Sequence, residues 1–214
     1  MSSSVAFTPP PADLTRPTLT GSFGMSAGTH WLAAASAQSV LERGGNAFDA
    51  AVAGAFVLHV VEPHLNGPGG DLMGIVAPAG ADPVVVNGQG PAPAGATIEH
   101  LRAEGLDAVP GSGALAAAVP AAVEALLGLL EEHGTWELGD VVAPAVHYLE
   151  DGHPAGAQLC RTIATMREHF TDHWPASAAL WLVEGRVPEP GDVVRNPAHA
   201  ATLRGLVAAG TALD

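Results

Sequence analysis

The sequence contains no lysine and only one cysteine. Its 8 basic residues are all arginine, and against 22 carboxylates they leave a formal charge of -14. That balance repels nucleic acid and anionic membrane surfaces and rules out a long basic groove. Small-molecule chemistry or protein association is the expectation that remains. With Cys160 alone, an intrachain disulfide and a thiolate zinc cluster are both excluded, and the lone thiol reads as buried packing. Long apolar runs are missing too. The most apolar window, residues 50–61, is interrupted by Gly54 and His59 and falls short of the roughly 20 residues a bilayer span requires. The first twenty residues, MSSSVAFTPPPADLTRPTLT, hold prolines and hydroxyls where a secretion signal needs an apolar stretch. They read as a flexible arm ahead of a folded unit over 21–214, and the expected compartment is cytoplasmic.

Apolar residues are plentiful, at 48% of the 214 positions, enough to bury a sizeable core. Over 31–43, Ala33, Ala37, Val40 and Leu41 recur at helical spacing, and Gly44-Gly45 supplies a stop. Asn46 then reads as an N-cap, with Asp49 three residues on in the place of a capping-box acid. The helix that follows, 47–61, has no ionisable side chain other than Asp49 and His59, which predicts burial on most sides. Glu62-Pro63 ends it. Short β-rich runs at 72–77 and 83–87, joined by Pro78-Ala79-Gly80-Ala81-Asp82, predict a hairpin. A helix is expected after Thr97 as N-cap. Another is expected from Pro120 as first helical residue, with Val123, Leu126, Leu127 and Leu130 inward and Gly134 as stop; others are expected at 140–150, 158–170 and 197–209.

The stretch VVEPHLNGPGGDLMG, residues 60–74, invites a phosphate-cradle reading. Such cradles run strand, glycines, helix, so that free N–H groups face the anion. Here the order is helix, glycines, strand, and the lysine of a P-loop is missing. The glycines are better explained by close backbone approach as the chain leaves a buried helix. Among the remaining candidates, Asp49 reads as structural. Glu168, His169, Asp172 and His173 read as a solvated helix face, since two histidines at i,i+4 leave a metal short of ligands. His59 reads as a satisfied core histidine, His64 as a loop residue, Asn66 as an Asx turn, and Thr29 as an N-cap.

GGNAFDAAVAGAFVLHVVEPHLNGPGGDLMG resembles the signature of the γ-glutamyltransferase family. GQGPAPAGAT, GSGALAAAVPAAVEALLGLLEEHG, TWELGDVVAPAVHYLEDGHPA and NPAHAATLRGL resemble further family segments, in family order, from about residue 24 to 210. The resemblance implies an N-terminal-nucleophile hydrolase fold, the αββα sandwich of class α+β, of which this chain is the N-terminal, helix-rich part. It also implies self-cleavage of a precursor. The new N-terminal threonine of the small subunit then attacks the acyl carbon of a γ-glutamyl or related amide or acyl bond, forming an acyl-threonine intermediate, its own amine serving as base. No cofactor or metal is implied. No threonine here lies in the context of that nucleophile, so no catalytic residue is assigned to this chain. The implied partners are a small subunit or C-terminal continuation carrying the threonine and a small-molecule amide or peptide substrate, with no nucleic acid and no membrane. An arginine that binds the substrate α-carboxylate in glutamyl-transferring members falls, counting back from Ala92-Pro93, on Gln89. Gln89 is therefore the one substrate-binding candidate, with a preference shifted away from glutamyl donors. The alternative is a catalytically inactive module used for association. In either case the fragment should expose an apolar face, because half a sandwich leaves sheet and helix surfaces uncovered.

Overall fold

The computed structural model describes residues 18–22 and 24–211. Most of the expected N-terminal arm lies outside them. In chain order the elements are α1 (Trp31–Glu42), α2 (Ala47–Val61), β1 (Leu72–Val76), β2 (Val84–Gly88), α3 (Ile98–Ala103), a 3-10 turn at Ala114–Ala116, α4 (Ala122–His133), α5 (Leu138–Glu150), β3 (His153–Pro154), α6 (Ala157–His173), α7 (Pro175–Trp181), β4 (Val193–Val194) and α8 (Pro197–Thr211).

Helix α2 is the axis of the fold. Asn46 caps it, its Oδ1 accepting from the N–H of Phe48 at 2.8 Å and of Asp49 at 3.0 Å, while Asp49 Oδ2 accepts the Asn46 N–H at 2.8 Å. This is the reciprocal box the spacing predicts. As its lack of charge requires, α2 is buried on most sides, with Val52, Ala53, Phe56 and Val57 almost wholly enclosed. Helix α1 lies against it across small residues: a Cβ at Gly54 would sit 3.4 Å from the Ala37 Cβ, ordinary contact that lets the helix backbones come close. Leu126 and Leu130 of α4, Val141, Val142, Ala145 and Leu149 of α5, and Leu203 of α8 complete the core. Each large side chain so enclosed contributes about 1.5–3 kcal/mol of transfer free energy.

Two two-stranded antiparallel sheets are present among the described residues. The two β-rich runs form the expected hairpin, β1–β2, in which Leu72 pairs with Gly88 and Val76 with Val84. Met73, Ile75, Val84 and Val85 of this hairpin are more than half exposed, so the expected uncovered apolar face is there. The β3–β4 pair joins a smaller packed group, in which Ala155, Cys160 and Val194 meet the partly buried Trp181.

Two boundaries differ from expectation. Helix α4 begins at Ala122 rather than Pro120, because the Val119 N–H is engaged by the Pro91 carbonyl at 3.0 Å, which commits the preceding backbone to a strand-like contact. Helix α7, opening on Pro175 as its first residue, was not anticipated; its seven residues are too few for a hydrophobic period to show.

Candidate functional site

The glycine-rich loop does its structural work with a carbonyl, not with amides. Gly70 O accepts the N–H groups of Ala121 at 3.2 Å and Ala122 at 3.1 Å, which satisfies the free donors at the start of α4. The strand that follows is then pressed onto α4. A Cβ at Gly88 would lie 2.5 Å from the Ala125 Cβ, and one at Gly90 would lie 1.5 Å from the Val119 carbonyl oxygen. Neither position has room for a side chain. Between them Gln89 is exposed, its N–H donating to Asn87 Oδ1 at 3.1 Å. Gln89 is thus carried outward on a ledge whose neighbours cannot be anything larger than glycine. Its carboxamide offers both donors and an acceptor but no charge.

A second polar group gathers where α2 ends. The Thr29 hydroxyl donates to the Glu62 carboxylate, and Glu62 is 8% exposed. Thr29 is therefore not the N-cap of α1. That place belongs to His30, whose Nδ1 accepts the Leu32 N–H at 3.2 Å, leaving Thr29 free to tie the entry of α1 to the exit of α2. Burial lowers the pKa of His30, with Glu62 opposing and His64 adding to the shift. His64 is lowered by burial as well, with Glu62 again opposing. His59 is buried as expected but not satisfied: its Nδ1 has no hydrogen-bond partner among the described residues. Burial, helped by the nearby His199, pushes its pKa down to about 4. Asn66 makes no forward Asx turn; its Nδ2 donates back to the Glu62 carbonyl at 3.1 Å.

The other candidates resolve simply. Asp49 is structural, fully enclosed and fully hydrogen-bonded. Cys160 is buried, which raises its thiol pKa and keeps it an inert packing group. Glu168, Asp172 and His173 are exposed, whereas His169 is half-buried with its ring edge-on to Trp174, 4.4 Å between centroids. The solvated-face reading thus fails for His169, because the chain leaves α6 at Trp174, whose ring packs against it. Among the described residues no group of three or more His, Cys, Asp or Glu side chains is placed to share a metal ion, and no helix is long and apolar enough to cross a membrane.

Glu62, His153 and His199 escaped the sequence reading. They stand on α2's exit, β3 and α8, and no spacing rule connects them. The only hint is the presence of 10 histidines in so acidic a chain.

A family model described as Gamma-glutamyltranspeptidase matches residues 33–213. The oxamate amidohydrolase proenzyme of Klebsiella pneumoniae is 37% identical over 193 residues, covering 87% of this chain and 36% of that protein. Solved structures of LmbA2991 are 56% identical with a TM-score of 0.88, over 91% of this chain and 33% of theirs. The Helicobacter pylori gamma-glutamyltranspeptidase structure is 29% identical with a TM-score of 0.84, over 91% of this chain and 56% of its own. The chain spans about a third of the length of the curated relatives it matches.

Proposed function

The chain belongs to the gamma-glutamyltranspeptidase family, and on that premise we propose that it forms the N-terminal part of an N-terminal-nucleophile hydrolase or acyltransferase. The substrate is an amide or acyl compound that lacks the α-carboxylate of a glutamyl donor. A threonine supplied by a C-terminal continuation or separate subunit attacks the acyl carbon. The amine leaves with a proton, and water or a second amine resolves the acyl-threonine. This chain contributes scaffold and one wall of the pocket. In support, matched relatives are named proenzymes and extend well beyond the region matched, as a nucleophile borne on another part requires.

The observation that carries the substrate preference is the ledge at Gly88–Gln89–Gly90. The backbone there is fixed by contacts that exclude a Cβ on either side, so of the three residues only 89 can extend a side chain, and it extends outward. A glutamine hydrogen-bonds a neutral amide or hydroxyl as readily as a carboxylate, whereas an arginine adds a charge-assisted, bidentate contact. Two measurements test the proposal. Intact mass of the purified protein should reveal a polypeptide beginning with threonine. Gln89→Arg should raise kcat/KM for a γ-glutamyl anilide by about tenfold, the gain of one charge-assisted hydrogen bond pair. An unchanged ratio of γ-glutamyl to simple acyl anilide turnover would remove Gln89 from the pocket. A lone species that cleaves no anilide would favour an inactive association module, the reading that the exposed hairpin face of Met73, Ile75 and Val85 otherwise supports.

A further inference from the structure

Between the last turns of α2, the loop at 63–68, β3 and the start of α8 lies a cavity of about 170 Å³. A void of ~150 Å³ is enough to hold a benzene-sized guest. Its lining is unusual for this molecule. In a chain with 22 carboxylates and 8 arginines, the cavity is lined by His59, His153, His199, Asn66, Asn196 and Arg195 and by no acidic residue. Among the described residues Arg195, like four other arginines, makes no salt bridge to a carboxylate, and it is the one that lines this cavity. His59 is 7% exposed and its buried Nδ1 is unpartnered.

His153, Asn196 and His199 are held in the wall by the backbone around them. His153, only 2% exposed, sits in the β3–β4 pair opposite Val194, the residue before Arg195. The Asn196 N–H is fixed to the Leu149 carbonyl at 2.9 Å, and its Oδ1 accepts the His199 N–H at 3.0 Å. That pairing places the N-terminal end of the 15-residue α8 at the cavity, where its dipole favours negative charge. The rest of the wall, including Val60, Leu149, Val194 and Trp181, is apolar. A ligand with one anionic head and a short apolar body satisfies both parts. Inorganic phosphate satisfies only the first.

We infer that this cavity is a binding site for a small aliphatic carboxylate, its head group held by the Arg195 guanidinium and the Nδ1 of His59 and its chain packed on Val60, Leu149 and Trp181. His59 donates in its Nδ1-protonated neutral tautomer. The site is built wholly from residues of this chain and does not depend on the reaction proposed above.

The test is calorimetric titration of the purified protein with butyrate, and with butyramide and inorganic phosphate as comparisons. Butyrate should bind saturably with a Kd of about 1 mM or tighter, and butyramide and phosphate at least about tenfold more weakly. Arg195→Gln, a change at an exposed residue, should reduce butyrate affinity about tenfold and abolish the preference over butyramide. His59→Asn, which keeps an amide donor near the place of Nδ1, should retain binding that His59→Leu loses. Equal affinity for butyrate and butyramide, butyrate binding indifferent to Arg195→Gln, or no saturable heat with any of the three overturns the inference.

Discussion

Asp49→Ala should lower the melting temperature by roughly 10 °C, the equivalent of about 4 kcal/mol in a domain of this size. Asp49 is 0% exposed and accepts four hydrogen bonds: Oδ2 from the Asn46 N–H at 2.8 Å and the Thr135 hydroxyl at 2.6 Å, Oδ1 from the N–H groups of Thr135 at 2.8 Å and Trp136 at 3.2 Å. Burial pushes its carboxyl pKa up, but these bonds, led by the Thr135 hydroxyl, outweigh it and hold the group below the ordinary aspartate value. An alanine leaves those donors unpaired in the interior, at a cost of about 1–3 kcal/mol for each group that water cannot reach. Asp49→Asn should fall between alanine and wild type. Its oxygen still serves Thr135 and Trp136, but its amide nitrogen then faces the Asn46 N–H, donor against donor. Thermal melts that rank asparagine at or below alanine, or show both within about 1 kcal/mol of wild type, would contradict this account of the α2 cap.

Acid should loosen the protein well before its carboxylates titrate. His59 is neutral in the fold, its pKa pushed down to about 4 by burial and the neighbouring His199, against 6.5 when exposed. A depressed folded value means that the unfolded chain binds the proton more readily. The stabilisation is therefore complete above pH 6.5 and is lost as the pH falls from 6.5 toward 4. Linkage over that interval gives about 2.5 kcal/mol lost between pH 7 and pH 4.5 from His59 alone. Burial lowers His153 and His199 as well, so they act in the same direction. The Asp49 contribution is complete above the ordinary aspartate value of 3.8 and is lost as the pH falls from there through its own depressed value, below that window. Urea unfolding at the two pH values should show the loss in the wild type, and His59→Leu should shrink it by about 2.5 kcal/mol. A pH dependence identical in the variant would mean that His59 is already protonated or solvent-reachable in the fold.

These two residues show how much of the molecule a reader of the sequence can see. The capping box at Asn46 and Asp49, the burial of α2, the β1–β2 hairpin and the helix stop at Gly134 were all legible, because each is settled within a few residues along the chain by capping, periodicity or turn chemistry. Gln89 could be singled out because its neighbours match a family pattern, but not its placement on a ledge. That depends on Ala125 and Val119 pressing against Gly88 and Gly90.

Gly134 separates the two levels. As a stop signal it was visible in the sequence, yet its φ of -71° is open to any residue. What demands glycine is space: a Cβ would fall 2.5 Å from the Leu130 carbonyl oxygen and 2.9 Å from Asp49 Oδ1. The Thr135 contact to Asp49 spans 86 positions, and the meeting of His59, His153 and His199 joins α2, β3 and α8. Local rules reach about one helical turn, and within that reach the letters alone determined most of the helices and the caps of α2 and α3, but not the cap of α1, the start of α4 or the short α7. Which polar groups face each other across the core was decided only by packing, since α2, enclosed on most sides, brings the exits and entries of distant segments together at its two ends.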